Sequence, residues 1–248
     1  MNSRVKAGEY LEDLQRNGLK IIQPREGYRF SADAVLLAHF AGASLSKGTV
    51  VDLGTGSGII LLLLSALCPE TSLVGLELQP GMADMARRSV LLNKLENRIE
   101  ILQGDIREAE KILSPGTADA VVSNPPYVPV NTGPANCRRD IALSRQELTC
   151  SLEDVFAAAG RLLKNRGHFF MVHKPGRLAD ICCLGRQFAL EPKRLRLVLS
   201  RPEREPTMVL VHCVKASAPG MIVLPPLMMA DEQGNATEEV KKIYGTGE

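Results

Sequence analysis

No apolar stretch in this 248-residue chain approaches the ~20 residues that cross a bilayer. The greasiest, Ile59 to Cys68, stops far short of that and contains Ser65. A secretory leader is missing too, since MNSRVKAGEYLEDLQ is polar. The six cysteines are Cys68, Cys137, Cys150, Cys182, Cys183 and Cys213. They include no Cys-x-x-Cys pair, and no nearby histidine completes a zinc spacing. These absences predict a cytoplasmic protein with no membrane partner, no metal and reduced thiols, most of them filling the core. Charge of one sign is also lacking. Lys and Arg number 30, Asp and Glu 28, for a formal charge of +2, so composition alone does not announce a nucleic-acid binder. Repeats and low-complexity tracts are absent. What remains is ordinary globular material, 45% hydrophobic and 23% charged, enough for a substantial core. The length fits one α/β domain with decorations.

Apolar runs rich in β-branched residues alternate with longer helical patterns, as a parallel sheet flanked by helices requires. Strands are predicted at Thr49–Leu53, Ser72–Leu78, Arg98–Leu102, Ala118–Ser123 and Gly167–Val172. Helices are predicted at Gly58–Leu67, Pro80–Asn93, Ile106–Leu113 and Ser151–Leu163, the last opened by a capping box of Ser151 and Asp154. Arg194–Ser200 and Met208–Lys215, joined by Arg201-Pro202-Glu203-Arg204-Glu205-Pro206, read as a terminal antiparallel hairpin. Ahead of the sheet, Ser31-Ala32-Asp33 can cap a short helix, Ala34 to Ala41. After it, Met221 to Leu227 is apolar, broken by prolines, and expected to pack back on the domain. The last dozen residues are polar and expected to fray. The division is 1–48 as an N-terminal extension packing over the cofactor site, 49–215 as the domain and 216–248 as a C-terminal extension. Val128–Ala142 reads as a long loop, a length that is usually functional or mobile.

Two motifs carry chemistry. The first is Asp52-Leu53-Gly54-Thr55-Gly56-Ser57-Gly58, directly between a strand and a helix. Glycine there lets backbone approach a ligand closely and turn sharply. Asp52 can bind a cationic group, or else cap the turn. Glu77, ending the next strand, can accept from two ribose hydroxyls, or else be a solvated strand end. Asp105, in Gln103-Gly104-Asp105-Ile106, can accept from an adenine amino group, or cap the following helix, or do both. A dinucleotide fold is the rival. Its fingerprint Gly-x-Gly-x-x-Gly is not met, because Ile59 holds the third glycine's place and Asp52 would repel a phosphate.

The second motif is Asn124-Pro125-Pro126-Tyr127, ending the fourth predicted strand. A conjugated nitrogen is barely nucleophilic, and its deprotonation at neutral pH is costly. Two fixed acceptors for its N–H groups make its lone pair available instead. The Asn124 side-chain oxygen and the Pro125 carbonyl are such acceptors, and consecutive prolines hold them rigid. Preorganised dipoles of this kind are effective catalysts. Tyr127 offers a flat stacking face.

With these motifs the chain resembles the Asn-Pro-Pro-Tyr branch of class I S-adenosylmethionine-dependent methyltransferases, the small methyltransferase domain group. Within it, the chain is most similar to bacterial tRNA (adenine-N6)-methyltransferases. Three further stretches carry the likeness over roughly residues 19–215: Tyr28-Arg29-Phe30-Ser31-Ala32-Asp33-Ala34-Val35-Leu36-Leu37-Ala38, Ala142-Leu143-Ser144-Arg145-Gln146-Glu147, and Leu162-Leu163-Lys164 through Gly167. The resemblance implies a Rossmann-like α/β fold with a seven-stranded, mostly parallel sheet ending in an antiparallel hairpin, with helices on both faces. It implies S-adenosyl-L-methionine as cofactor, held by Phe30, Asp33, Asp52, Gly54, Thr55, Gly56, Gly58, Glu77, Leu78, Asp105, Ile106 and Asn124. The catalytic residues it implies are Asn124, Pro125, Pro126 and Tyr127, the substrate an anticodon-loop adenosine of a tRNA, and no metal. Oligomeric state stays open between monomer and homodimer. Enzymes that methylate glutamine in release factors share the motif and are the alternative. They usually carry a separate helical domain, for which the residues ahead of Thr49 are too few. A non-catalytic cofactor- or RNA-binding module is the third reading, against which Asn124 and Tyr127 speak. Arg161 to Lys215 holds twelve Lys or Arg against four Asp or Glu, leaving the remainder of the chain at −6. That excess is a candidate phosphate footprint, drawn with Arg138 and Arg139 from Lys174, Arg177, Lys193, Arg194, Arg196, Arg201 and Arg204. Arg145 and Glu147 are expected to form an ion pair, and His173 to be a sheet-end histidine.

Overall fold

The computed structural model describes residues 4–26, 32–126 and 150–245. The chain enters through a hairpin of β1 (Glu9–Asp13) and β2 (Lys20–Pro24) that stands apart from the main sheet. Then come α1 (Ala32–Gly42), β3 (Lys47–Leu53), α2 (Ile59–Leu67), β4 (Glu70–Glu77), α3 (Pro80–Leu92) and β5 (Ile99–Gln103). A 3-10 turn at Ile106–Glu108 leads into α4 (Ala109–Ile112) and β6 (Ala118–Ser123). Next are α5 (Leu152–Leu162), β7 (Leu163–His173), α6 (Leu178–Gln187), β8 (Leu190–Leu199) and β9 (Pro206–Lys215). Last come β10 (Ile222–Val223), β11 (Leu227–Met228) and α7 (Glu238–Tyr244).

The main sheet runs β10-β8-β9-β7-β6-β3-β4-β5, with β11 also on β8. From β7 to β5 every pairing is parallel, while β9 is antiparallel to both β7 and β8. The expected five parallel strands and terminal hairpin are present. The chain winds outward from β3 through β4 to β5, then returns to the other side of β3 as β6. Ligands in open α/β sheets bind at such a reversal, beyond the carboxyl ends of the strands.

Successive strand residues serve opposite faces. Val50, Ala120, Val122, Phe170 and Val172 pack with α1, α2, α3 and α7. Val51, Val121, Phe169 and Met171 pack with α5 and α6. Burial on both faces is why these strands read as unbroken apolar runs. It also explains α2, apolar all round, with Leu61, Leu62 and Leu64 fully buried. The capping box forms as expected: the Ser151 N–H donates to Asp154 Oδ2 (2.8 Å) and the Asp154 N–H to Ser151 Oγ (3.2 Å).

Several expectations are corrected. The first strand is not Thr49–Leu53, because the β1–β2 hairpin precedes it. Ile106–Leu113 is not one helix, since Asp105 caps a 3-10 turn that breaks before α4. Gly167–Val172 is the core of a longer strand that begins at Leu163, with a register shift against β6 near Ala118. α6 went unforeseen because Asp180, Cys182, Cys183 and Arg186 blur its apolar stripe. The Met221–Leu227 segment does contact the sheet, but through backbone pairing. Leu227 is buried, while Ile222 and Val223 are 61% and 63% exposed. The polar tail does not fray as a whole, because Thr237 caps α7 and Val240 and Ile243 are buried. Of the cysteines, Cys68 and Cys213 are buried, Cys150 and Cys182 half-buried and Cys183 exposed, so fewer than expected fill the core. Cys137 and the expected cap residue Ser31 lie outside the described residues.

Candidate active site

Beyond β3 the chain passes through Gly54, Gly56 and Gly58 with φ of +80°, +57° and +88°. Glycine alone takes such values readily. The Gly54 and Thr55 N–H groups both donate to the Leu76 carbonyl (2.9 and 3.1 Å), which folds the turn onto the end of β4. A Cβ on Gly54 would meet only Ile106 Cδ1 within 4 Å, at 3.8 Å, and one on Gly56 only Met82 Cε, at 3.8 Å. The backbone at both positions can therefore be approached closely. Gly58 differs, because its Cβ would stand 3.4 Å from Ala86 Cβ. That glycine seats the start of α2 against α3.

Two carboxylates are buried at this turn. Asp52 is fully buried and accepts from Thr55 Oγ1 at 2.7 Å through Oδ2. Its Oδ1 has no hydrogen-bond partner among the described residues. Burial pushes the Asp52 carboxyl up to about 7, against the bond from Thr55, and the negative charge of Glu77 pushes the same way. Glu77 accepts backbone N–H groups on both oxygens, from Gly56 at 2.9 Å and Gln79 at 2.8 Å. Each oxygen keeps a second lone pair. Glu77 is thus not a solvated strand end, and it braces the turn it faces. Leu78 is 39% exposed and Ile106 half-buried, the latter with its Cδ1 beside Gly54.

Asp105 takes its capping role, accepting the Arg107 N–H at 2.8 Å and gripping the Arg107 guanidinium. That guanidinium holds the Asp105 carboxyl below the usual carboxylate range. Ser123 Oγ donates to the Leu53 carbonyl at 2.9 Å and pins the end of β6 to the end of β3. Half-buried Asn124 and buried Pro125 follow β6 directly, so they leave the sheet next to Leu53, the residue that leads into the glycine turn. Phe30 and Tyr127 lie outside the described residues, as do Arg138, Arg139, Arg145 and Glu147. Asp33, in the first turn of α1, stands near Tyr244 of α7, whose hydroxyl it and burial push up.

His173 ends β7. Its Nδ1 accepts from the Lys174 N–H at 2.8 Å, and burial pushes its pKa down to about 4, leaving it neutral at pH 7. The basic candidates separate. Arg196 forks onto Glu239 at 2.6 and 2.8 Å and donates to the Pro225 carbonyl, so it anchors α7. Lys193 and Arg194 lie in the middle of β8, Arg194 in register with His212 and Phe170, and their side chains reach Ala218 and Ser44. Arg201 and Arg204 sit exposed in the β8–β9 turn, and Lys174 and Arg177 follow β7. His173 opposite Val209 puts all four at the carboxyl edge with Asn124. Among the described residues no group of three or more His, Cys, Asp or Glu could hold a metal, and no helix is long and apolar enough to cross a membrane.

A sequence model of the methyltransferase small domain matches residues 31–179. The chain belongs to the methyltransferase small domain family. Its relatives include the tRNA1(Val) (adenine(37)-N6)-methyltransferase of Porphyromonas gingivalis, 31% identical over 73% of this chain and 72% of that protein. The protein of the same name from Aeromonas salmonicida is 29% identical over 74% and 75% of the two chains. Among solved structures, a predicted O-methyltransferase from Agrobacterium tumefaciens superposes with a TM-score of 0.70 over 87% of this chain and 97% of its own, at 22% identity. That likeness speaks for the fold, which is the Rossmann-like methyltransferase fold.

Sequence reasoning about this small-domain methyltransferase missed the hairpin's part in the site. Gln23 of β2, fully buried, donates from Nε2 to Ser57 Oγ in the glycine turn at 3.0 Å. The hairpin is tied to α3 by Ser89 Oγ, which accepts from the Ile22 N–H, by Asn93, bonded to both backbone groups of Lys20, and by Arg88 on Glu9. The one signal in the sequence was Ile21-Ile22 before Pro24, too short to identify a strand.

Proposed function

We propose that this enzyme transfers a methyl group from S-adenosyl-L-methionine to the exocyclic N6 of an adenosine in RNA, an anticodon-loop adenosine of a tRNA. The observation that carries this reading is Asn124 and Pro125 leaving the sheet next to Leu53 and its glycine turn, where buried Asp52 has one oxygen without a partner among the described residues. The residues fit the cofactor. Asp52 Oδ1 accepts from its ammonium, the free lone pairs of Glu77 from its ribose hydroxyls, and Asp105, Leu78 and Ile106 flank its adenine. Bound there, the sulfonium supplies an electrophilic methyl. The chain's own part is to orient the acceptor. Asn124 Oδ1 and the Pro125 carbonyl accept from the two N–H groups of the adenine amine, and the lone pair turns toward the methyl. Tyr127 stacks on the base, which leaves its stack more cheaply in a loop than in a duplex. The 1–48 extension packs over the cofactor, a reading that the bond from Gln23 to Ser57 in the glycine turn supports, and the reaction is cytoplasmic.

The deciding experiment offers labelled S-adenosylmethionine with either unmodified tRNA or a release factor, then analyses nucleosides and peptides by mass. N6-methyladenosine is expected. Methylated glutamine without methylated adenosine would replace this reading with the protein-methylating one.

A further inference from the structure

Two fully buried oxygens at the glycine turn have no hydrogen-bond partner among the described residues, Asp52 Oδ1 and Gln23 Oε1. Asp52 has a role in the reading above, and Gln23 has none. Gln23 belongs to β2, outside both the main sheet and the 31–179 match. Its neighbours Ile21 and Ile22 are fully buried and apolar, so a strand with only a packing role would be served by another aliphatic side chain. A buried amide oxygen left unpaired is destabilising, and native structures rarely keep one without a use.

The bond from Gln23 Nε2 to Ser57 Oγ has two consequences. It fixes the carboxamide plane, so Oε1 is presented in one direction. It also fills a lone pair on Ser57, a residue 3% exposed, and steers the Ser57 hydroxyl proton elsewhere. The turn thus offers two acceptors, Asp52 Oδ1 and Gln23 Oε1, and one donor, the Ser57 hydroxyl. An amino-acid zwitterion needs that set, with acceptors for its ammonium and a donor for its carboxylate. The ties from β1 and β2 to α3 hold Gln23 firmly enough for the task.

Resting on the cofactor reading above, we propose that Gln23 is a positioning residue for the amino-acid end of S-adenosylmethionine. Its Oε1 accepts from the ammonium, and its Nε2 holds Ser57 to donate to the carboxylate. The hairpin is then part of the cofactor site and selects the whole cofactor over fragments that lack the amino-acid end.

The test compares S-adenosylhomocysteine with 5′-methylthioadenosine, which lacks that end, on wild type and Gln23→Leu. Calorimetry should show S-adenosylhomocysteine binding about tenfold weaker in the variant, the loss of one to two hydrogen bonds. Methylthioadenosine binding, read by competition, should stay unchanged, as should melting of the free protein within a few degrees. Gln23→Met keeps the size of the side chain without its acceptor or donor should Leu disturb the fold, and it should show the same ligand split. Equal weakening of both ligands in both variants would reduce Gln23 to a structural strut and overturn the assignment, and unchanged S-adenosylhomocysteine affinity would overturn it too. Failure of wild type to bind S-adenosylhomocysteine at all would instead overturn the cofactor reading, and this assignment with it.

Discussion

Among the described residues Asp52 is held by one hydroxyl, its other oxygen has no hydrogen-bond partner, and the residue is fully buried. A carboxyl raised to about 7 keeps a proton that the unfolded chain has released above about 4. Native stability of the free protein should therefore fall as pH rises from about 4 to about 7. The ammonium requires the ionised form, so cofactor affinity should rise with pH up to about 7 and level off above it. Titration calorimetry from about pH 6 to about pH 8 should show this slope, and Asp52→Asn should flatten it. A wild-type affinity independent of pH would remove Asp52 from the ammonium's partners. In the proposed mechanism Asn124 acts through a dipole whose protonation does not change. Asn124→Ala should leave S-adenosylhomocysteine affinity nearly intact yet lower kcat by ~10²–10³, as when one preorganised oxyanion-hole partner is removed. Single-turnover rates on tRNA are the measurement, and full activity would sink the mechanism.

At the scale of elements, the proposed cofactor site draws on the β1–β2 hairpin, which contributes no strand to the main sheet. Arg88 of α3 joins Glu9 with both Nη atoms at 2.7 Å, Asp84 at 2.9 Å and the Arg4 carbonyl at 2.6 Å. Its side chain is 13% exposed and that of Glu9 11%, so the pair is mostly shielded. Arg88→Leu should cost about 2–3 kcal/mol, the scale of charged hydrogen bonds removed without replacement. The consequence should be local. Amide exchange across β1 and β2 should accelerate and cofactor affinity should weaken, because Gln23 loses its support. Protected hairpin amides in that variant would show that Ser89 and Asn93 suffice. Arg88 also holds the Glu9 carboxyl below its usual range, so the link is complete above about pH 4.5 and fades as pH falls through the lowered value.

At the scale of the molecule, the sheet sorts basic residues that the sequence only counts. The antiparallel β8–β9 pair returns Arg201 and Arg204 to the edge where Asn124 stands, and leaves Lys193 and Arg194 mid-strand with their side chains on Ala218 and Ser44. Replacing Arg201 and Arg204 by Ala should raise KM for tRNA several-fold and lower the salt slope by about 0.7–0.9 for each phosphate no longer neutralised. Cofactor affinity should not change. The same pair of changes at Lys193 and Arg194 should leave KM alone. A larger effect there than in the β8–β9 turn would place the RNA on a different face.

The sequence by itself determined what local patterns encode. Apolar runs such as Ala118–Ser123 are strands because both sheet faces are covered, and Gly54, Gly56 and Gly58 mark positive-φ positions no other residue fills well. Ser151 and Asp154 stated where a helix starts. The Asn-Pro-Pro-Tyr turn with its glycine partner named the reaction class, because rigid acceptors and close backbone approach are local properties. Tertiary structure alone decided what each polar group faces. Glu77 accepts the Gly56 amide from 21 residues away, which is not visible in a strand-end carboxylate read along a line. Arg196 became an anchor because α7 folds back over β8, from a tail whose polarity hid Val240 and Ile243. Gln23 joined the cofactor turn across 34 residues of chain. Period and propensity report on neighbours within a few residues, whereas hydrogen-bond partners and burial are set by contacts distant in sequence.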